Sequence, residues 1–210
     1  MSTFLENQNW RYATKKYDSA KKISAQDLDT LKEAIRISAS SYGLQPYTVF
    51  IIENAELREK LKEAAYGQTQ ITDASQVVVF ANNVDFTEKD VDGFISNISK
   101  TREVPVESLT GYGDYMKSTV MALTADVRNI WTAKQTYIAL ANLLAAGAEL
   151  KIDVTPMEGF NAASFNEILG LTEKGLNAAV IATMGYRHEE DALQYLKKVR
   201  KPNSELFVTL

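Results

Sequence analysis

The chain has 210 residues, 45% of them hydrophobic and 24% charged, with a formal net charge of −4, one histidine and no cysteine. That balance suits an ordered chain with a sizeable core, and it argues against generic nucleic-acid binding and against docking on an anionic membrane. The missing cysteines exclude disulfides, cysteine-ligated zinc, iron–sulfur clusters and a cysteine nucleophile, and the lone His188 excludes a multi-histidine metal site within one chain.

Residues 3–10 read as a short helix. Ser24 and Asp27 form a capping-box-like pair, and Leu28, Leu31, Ala34, Ile35 and Ile37 supply the apolar face of a helix over about 25–39. The run 38–46 is a loop, and the β-branched and aromatic run 47–52 is a strand. Residues 55–65 return to helix, and 76–81 read as a strand buried on both faces. The stretch 86–150 is helical. Its last part, 131–150, is apolar nearly all round, as expected in a large core or a subunit interface, and Gly147 could end or bend it.

A short extended piece follows at 154–157. Asn161 could cap a helix over 162–169, and 177–186 is a second buried strand. Residues 205–210 have strand character without a nearby partner, so a neighbouring subunit is the natural one. No linker or repeat stands out, so the expectation is one α+β domain over 1–210. The N-terminus lacks a basic start followed by an apolar run, and no apolar run reaches the ~20 residues of a membrane span. A cytoplasmic protein is expected, with no nucleic-acid or membrane partner.

Several motifs fail on inspection. Gly111-Tyr112-Gly113 lacks the third glycine and the preceding strand of a dinucleotide fingerprint. Gly170 to Gly175 has the glycine spacing of a P-loop, but Leu176 stands where the lysine belongs. His188-Glu189-Glu190-Asp191 reads as a polar turn, and no Gly-x-Ser-x-Gly elbow exists.

Two basic clusters stand out in this acidic chain: Arg11, Lys15 and Lys16 near the start, and Lys197, Lys198, Arg200 and Lys201 near the end. Alone they read either as two solvated faces or as one phosphate site assembled from both termini. Arginine suits the latter because its planar fork grips phosphate oxygens bidentately.

The arrangement decides between them. Arg11-Tyr12-Ala13-Thr14-Lys15-Lys16-Tyr17, the Ser40-Ser41 loop with Gln45-Pro46-Tyr47, Asp73 to Phe80, Ala133-Lys134-Gln135, Pro156-Met157-Glu158-Gly159-Phe160 and Lys198-Val199-Arg200 occur in this order. Together they resemble the oxygen-insensitive nitroreductase and dihydropteridine reductase branch of the nitroreductase family, from about residue 4 to 210. The resemblance implies an α+β fold, a small mostly antiparallel sheet surrounded by helices, with the C-terminal strand exchanged within a homodimer.

It also implies flavin mononucleotide (FMN) as cofactor, with NADH or NADPH as electron donor. Arg11 and Lys15, with Tyr12 and Ala13 between them, match the N-terminal basic motif, in which the arginine meets the FMN phosphate and the lysine lies near the flavin ring and ribityl chain; Lys198 and Arg200 match the pair that closes on that phosphate. Ser40 and Ser41 match a loop lent by the other subunit. Pro156, Glu158 and Gly159 match the turn whose backbone N–H faces flavin N5. Gln70 falls where the family places a polar donor near flavin N1 and O2, and Gln68 or Gly67 at the amide that pairs with the pyrimidine edge.

Ala13 departs from a common serine, and Gln70 from a lysine common in close relatives. A neutral Gln70 stabilises the reduced flavin's anionic N1 less than a cation does. The implied activity is ping-pong two-electron hydride transfer to flat, electron-poor small molecules such as nitroaromatics or quinones, with no catalytic side chain. Tyr112, Tyr115 and Met116 are candidates for the acceptor side. The alternative is a flavin-binding or storage dimer without productive NAD(P)H turnover.

Overall fold

A computed structural model describes residues 3–210. Its helices are α1 (Thr3–Trp10), α2 (Ala25–Arg36), α3 (Ala55–Ala64), the single turn α4 (Gln70–Asp73), α5 (Glu88–Arg102), α6 (Thr110–Met121), α7 (Ala125–Glu149), α8 (Ala162–Leu169) and the terminal turn α9 (Asn203–Leu206). The strands β1 (Tyr47–Ile52), β2 (Gln76–Asn83), β3 (Asp153–Met157) and β4 (Leu176–Gly185) form one antiparallel sheet in the order β1-β2-β4-β3.

The sheet is the middle of three layers. Along β2, Val78 and Phe80 point to one face and meet Leu31 and Ile35 of α2 and Leu140 and Leu143 of α7. Val77, Val79 and Ala81 point to the other and meet Leu61 of α3 and Phe165 of α8. Both central strands read as unbroken apolar runs because helices cover both faces, although every pairing is antiparallel. A third cluster, with Val91, Ile95, Met116 and Val120, holds α5 against α6.

The local signals behave as their chemistry requires. The Ser24 hydroxyl accepts from Asp27 N at 3.0 Å and donates to the Asp27 carboxylate at 2.8 Å. Asn161 caps α8, accepting from Ser164 N at 3.0 Å. Four expectations need correction. The helix expected to reach 39 stops at Arg36, because Ile37 turns out of helical geometry and Ser38 donates its hydroxyl back to Ala34 O. Gly147 neither ends nor bends α7; it lies buried inside it.

The long helix begins at Ala125, before Trp131, with Val127, Ile130, Tyr137 and Ile138 facing outward and exposed. The C-terminal segment is not a strand within the chain. Residues Asn203–Leu206 form a helical turn, and 207–210 pair with no strand among the described residues, because no edge of the chain's own sheet reaches them.

Candidate functional site: a basic cleft and the apolar pocket beside it

The two termini are joined by a short two-stranded crossing beyond the end of β4. Asp18 N donates to Tyr186 O at 2.8 Å and His188 N to Lys16 O at 2.9 Å, around a bridge between Tyr17 and Arg187. Tyr17 anchors the crossing: its buried hydroxyl donates to Thr183 O at 3.0 Å, and burial holds its pKa well above the ordinary tyrosine range.

Arg187 fastens the same region from the side. Its Nη2 lies 2.6 Å from Asp153 Oδ1, and its backbone N donates to Asp153 Oδ2 at 2.8 Å. The guanidinium also stacks on the rings of Trp10, at 4.0 Å, and Tyr12, at 4.5 Å. The residues either side of Arg11 are therefore gripped by one paired, half-buried cation.

Between the termini lies a cleft of about 380 Å³ lined by Arg11, Tyr12, Ala13, Lys15, Lys198 and Arg200, with Trp10, Leu193 and Leu196 as apolar walls. Lys198 Nζ donates to Gln8 O at 2.6 Å and also to Arg11 O. Burial and then the charge of Arg200 lower the Arg11 pKa. Burial and then the charges of Arg11 and Arg200 lower that of Lys198. Among the described residues no carboxylate lies within ion-pair distance of Arg11, Lys198 or Arg200. A like-charged cluster left uncompensated in a cleft fits an anion supplied from outside.

Asp191, almost fully buried, shapes the floor. Its carboxylate accepts from Lys15 N at 2.7 Å, Lys16 N at 3.0 Å and Leu193 N at 3.1 Å. Burial opposes its charge, yet these N–H donors hold its pKa below the ordinary value. The Tyr12 hydroxyl nearby makes no hydrogen bond of good geometry, and burial, then Asp191, push its pKa up to about 12. Lys16 turns away from the cleft and pairs with Glu190.

A second pocket lies further along β3. Thr155, on β3, donates its hydroxyl to Thr14 O at 3.2 Å, so β3 runs directly under the N-terminal basic motif. The next residues open a pocket of about 390 Å³ lined by Pro156, Met157, Glu158, Tyr137, Leu140, Ala141, Leu144 and Val180. The Tyr137 hydroxyl donates to Glu158 Oε1, and burial, then Glu158, push the Tyr137 pKa up to about 12. Gln68 Nε2 donates to Gly159 O at 2.6 Å and to Ala65 O at 3.0 Å, tying the 66–70 turn to the Glu158-Gly159 turn. Gln70 is buried, and its carboxamide hydrogen-bonds to nothing among the described residues.

The structure therefore brings together Arg11, Tyr12, Ala13, Lys15, Lys198 and Arg200 in one cleft and Pro156 and Glu158 in the other; Gln68 is bonded to Gly159 O, and Gln68, Gly159 and Gln70 line neither. Ser40 and Ser41 line neither. Ser40 Oγ accepts from Gln45 N at 2.9 Å, and Ser41 N donates to Gln135 Oε1 at 2.8 Å, placing this loop against the middle of α7. Met116 is fully buried in the α5–α6 cluster and lines no surface, so its place on the acceptor side is withdrawn; Tyr112 and Tyr115 stay exposed.

Sequence reasoning missed Asp153, Arg187 and Asp191. Asp191 closes the acidic run Glu189-Glu190-Asp191 of the polar turn, and nothing in that run sets it apart.

The fold and its cleft define a three-layered protein, with helices on both faces of an antiparallel sheet, that gathers cations from both ends of one chain. The Nitroreductase family matches residues 9–186, and the chain belongs to that family. It is 36% identical over 196 residues to an NAD(P)H nitroreductase, so named, of Staphylococcus epidermidis, covering 90% of this chain and 89% of that one. It is 34% identical over 215 residues to the major NAD(P)H-flavin oxidoreductase of Aliivibrio fischeri, covering 98% and 96%. A nitroreductase of Exiguobacterium sibiricum solved in complex with FMN shares the fold, with a TM-score of 0.86 at 16% identity over 100% of this chain and 98% of that one.

Proposed function

We propose that FMN lies with its phosphate among Arg11, Lys198 and Arg200, with Lys15 near its ring and ribityl chain and its ring beside Pro156 to Gly159, where NAD(P)H and a flat electron-poor acceptor take turns. The chain is an NAD(P)H-dependent flavin oxidoreductase of the nitroreductase family. The observation that carries the site is the group of three cations that repel one another with no carboxylate among the described residues to neutralise them. Gln70 is a buried residue whose carboxamide makes no hydrogen bond among the described residues, which leaves it open to a ligand with a polar edge.

Bound FMN supplies two-electron hydride transfer; the protein supplies placement and electrostatics. Arg11, Lys198 and Arg200 hold the phosphate, and Lys15 lies near the ring and ribityl chain. Backbone at Glu158 and Gly159 orients the ring at N5, and Gln70 with the 67–68 backbone meets its pyrimidine edge. Apolar walls from Leu140, Leu144 and Val180 exclude water. Nitroaromatics and quinones are the proposed acceptor class, reduced in a ping-pong sequence.

The working unit is a cytoplasmic homodimer of single-domain chains spanning 1–210. Supporting this, the outward face of α7 exposes Val127, Ile130, Tyr137 and Ile138, and the tail exposes Leu206, Phe207, Val208 and Leu210. β1 pairs only with β2 and leaves an open sheet edge. The partner's Phe207 to Leu210 segment is proposed to cover that edge, and Ser40 and Ser41 to approach the FMN of the other subunit. No described helix is long and apolar enough to cross a membrane.

Purified protein is expected to be yellow, bleached anaerobically by NADH or NADPH, and recoloured by menadione. Yellow protein that neither nicotinamide bleaches makes this a flavin-binding dimer without turnover. Colourless protein that takes up no FMN ends the proposal.

A further inference from the structure

Arg58 is the most deeply buried cation in the chain at 5% exposure, and nothing in the proposed chemistry uses it. It stands on α3 and aims its whole guanidinium at one segment. Nε donates to Ile71 O at 2.6 Å, Nη1 to Ser75 O at 3.2 Å, and Nη2 to Thr72 O at 2.9 Å and to Ala74 O. Four carbonyls at the end of α4 and just beyond it thus converge on one side chain.

Such an arrangement is costly unless the segment must be fixed. Burial lowers the Arg58 pKa, and Asp73, Glu53 and Glu59 oppose that from a distance. Among the described residues, none of these carboxylates reaches ion-pair distance, so the charge is solvated by backbone carbonyls and not cancelled by a contact ion. The segment it fixes directly follows Gln70, which is one peptide from the Ile71 carbonyl that Arg58 Nε binds. Gln70 is neutral and buried as a residue, and its carboxamide makes no hydrogen bond among the described residues.

We propose that Arg58 is a positioning residue for the flavin's pyrimidine edge: it locks 71–75 so that the Gln70 carboxamide is presented, and it lends that edge a buried positive charge. This rests on the reading that FMN occupies the site with Gln70 at N1 and O2. A buried charge acts over several ångströms because little solvent screens it. It favours the reduced flavin, which carries negative charge at N1, over the oxidised one. The neutral side chain at 70 and the cation behind it then share what a single charged side chain could do alone.

The test compares the parent with Arg58→Met and Arg58→Lys, all loaded with FMN. The readouts are the midpoint potential of bound FMN, its dissociation constant by flavin fluorescence, and amide hydrogen exchange over 70–75. Arg58→Met is expected to weaken binding of reduced FMN relative to oxidised about tenfold, a drop of about 30 mV for a two-electron couple. Arg58→Lys keeps a charge but loses the fork. It is expected to hold a potential between the two while exchange over 70–75 accelerates.

Adding Gln70→Lys to Arg58→Met is expected to raise the potential again. The proposal is overturned if Arg58→Met keeps the parent's potential, even with lowered thermal stability. Should that variant not fold, Arg58→Lys decides, and parent-like exchange together with parent-like FMN affinity overturns it. A parent that binds no FMN refutes the site reading instead.

Discussion

Arg187 and Asp153 form a two-point contact in which Asp153, only 2% exposed, accepts from both the backbone and the guanidinium of Arg187. The same guanidinium lies over the rings of Trp10 and Tyr12, the two residues that flank Arg11. One ion pair thus fixes the end of β4, the start of β3 and the backbone of the phosphate motif together.

Asp153→Asn tests this coupling. The change leaves Arg187 half-buried without its anion, and removing one partner of a buried pair costs about 3–5 kcal/mol. Urea unfolding should show that loss, and FMN affinity should fall with it because Arg11 loses its support. Unchanged FMN affinity in folded Asp153→Asn protein would show that the clamp serves stability alone.

The cationic cleft makes a prediction for the protein stripped of FMN. The folded-state pKa of Lys198 is lowered by burial and by Arg11 and Arg200, so the native state holds its proton less tightly than the unfolded chain does. That penalty is fully present at neutral pH and disappears as pH rises through the lowered folded value to the ordinary lysine value of about 10.4. Inorganic phosphate should relieve it at neutral pH by pairing with the cluster. At a hundredfold excess over its Kd, phosphate adds about 2.7 kcal/mol, read as a rise in Tm. Arg200→Ala should blunt that rise and weaken FMN binding about tenfold, about 1.4 kcal/mol. An equal phosphate response in both proteins would remove Arg200 from the site.

Much of the layout was legible in the sequence, because the signals were local. The Ser24–Asp27 and Asn161 caps and the apolar runs of β2 and β4 name their elements without tertiary help. The resemblance groups Arg11 and Lys15 with Lys198 and Arg200, and these four line one cleft. What was not legible depends on distance in space. Asp191 lies about 175 residues from the Lys15 and Lys16 amides it binds, and Arg58 acts on carbonyls, which no side-chain pattern reveals. The strand character of 205–210 describes a preference that pairs with no strand of its own chain among the described residues, so 203–206 form a turn and 207–210 extend from it.

Asp191→Asn isolates the floor of the cleft. The parent carboxylate is held below its ordinary pKa by three N–H donors, so its stabilisation is present above the unfolded aspartate value of about 3.9 and is lost as pH falls through the folded value. Hydrogen bonds to a charged acceptor are worth about 1.5–3 kcal/mol. Near neutral pH the variant should be less stable by about that amount, and the two proteins should converge in acid. A gap that stays constant with pH, measured by urea unfolding at each pH, would mean that the carboxylate's charge contributes nothing.

Gly147→Ala sets two local rules against each other. Alanine is the better helix former by about 1 kcal/mol, and Gly147 lies inside α7. A Cβ at this position, however, would fall 2.5 Å from Val154 Cγ2 and 2.9 Å from Ile152 O. The glycine is there because α7 passes against the start of β3, and that strand carries Thr155 and Pro156 toward the cleft. Overpacking of this kind costs about 1–3 kcal/mol, so Gly147→Ala should destabilise despite its helix gain. Adding Val154→Ala should recover part of the loss by removing Cγ2. Recovery should stay incomplete, because the Ile152 carbonyl is backbone and has less room to move. A Gly147→Ala protein with a raised Tm would show that the α7–β3 contact yields freely and that helix propensity decides the position.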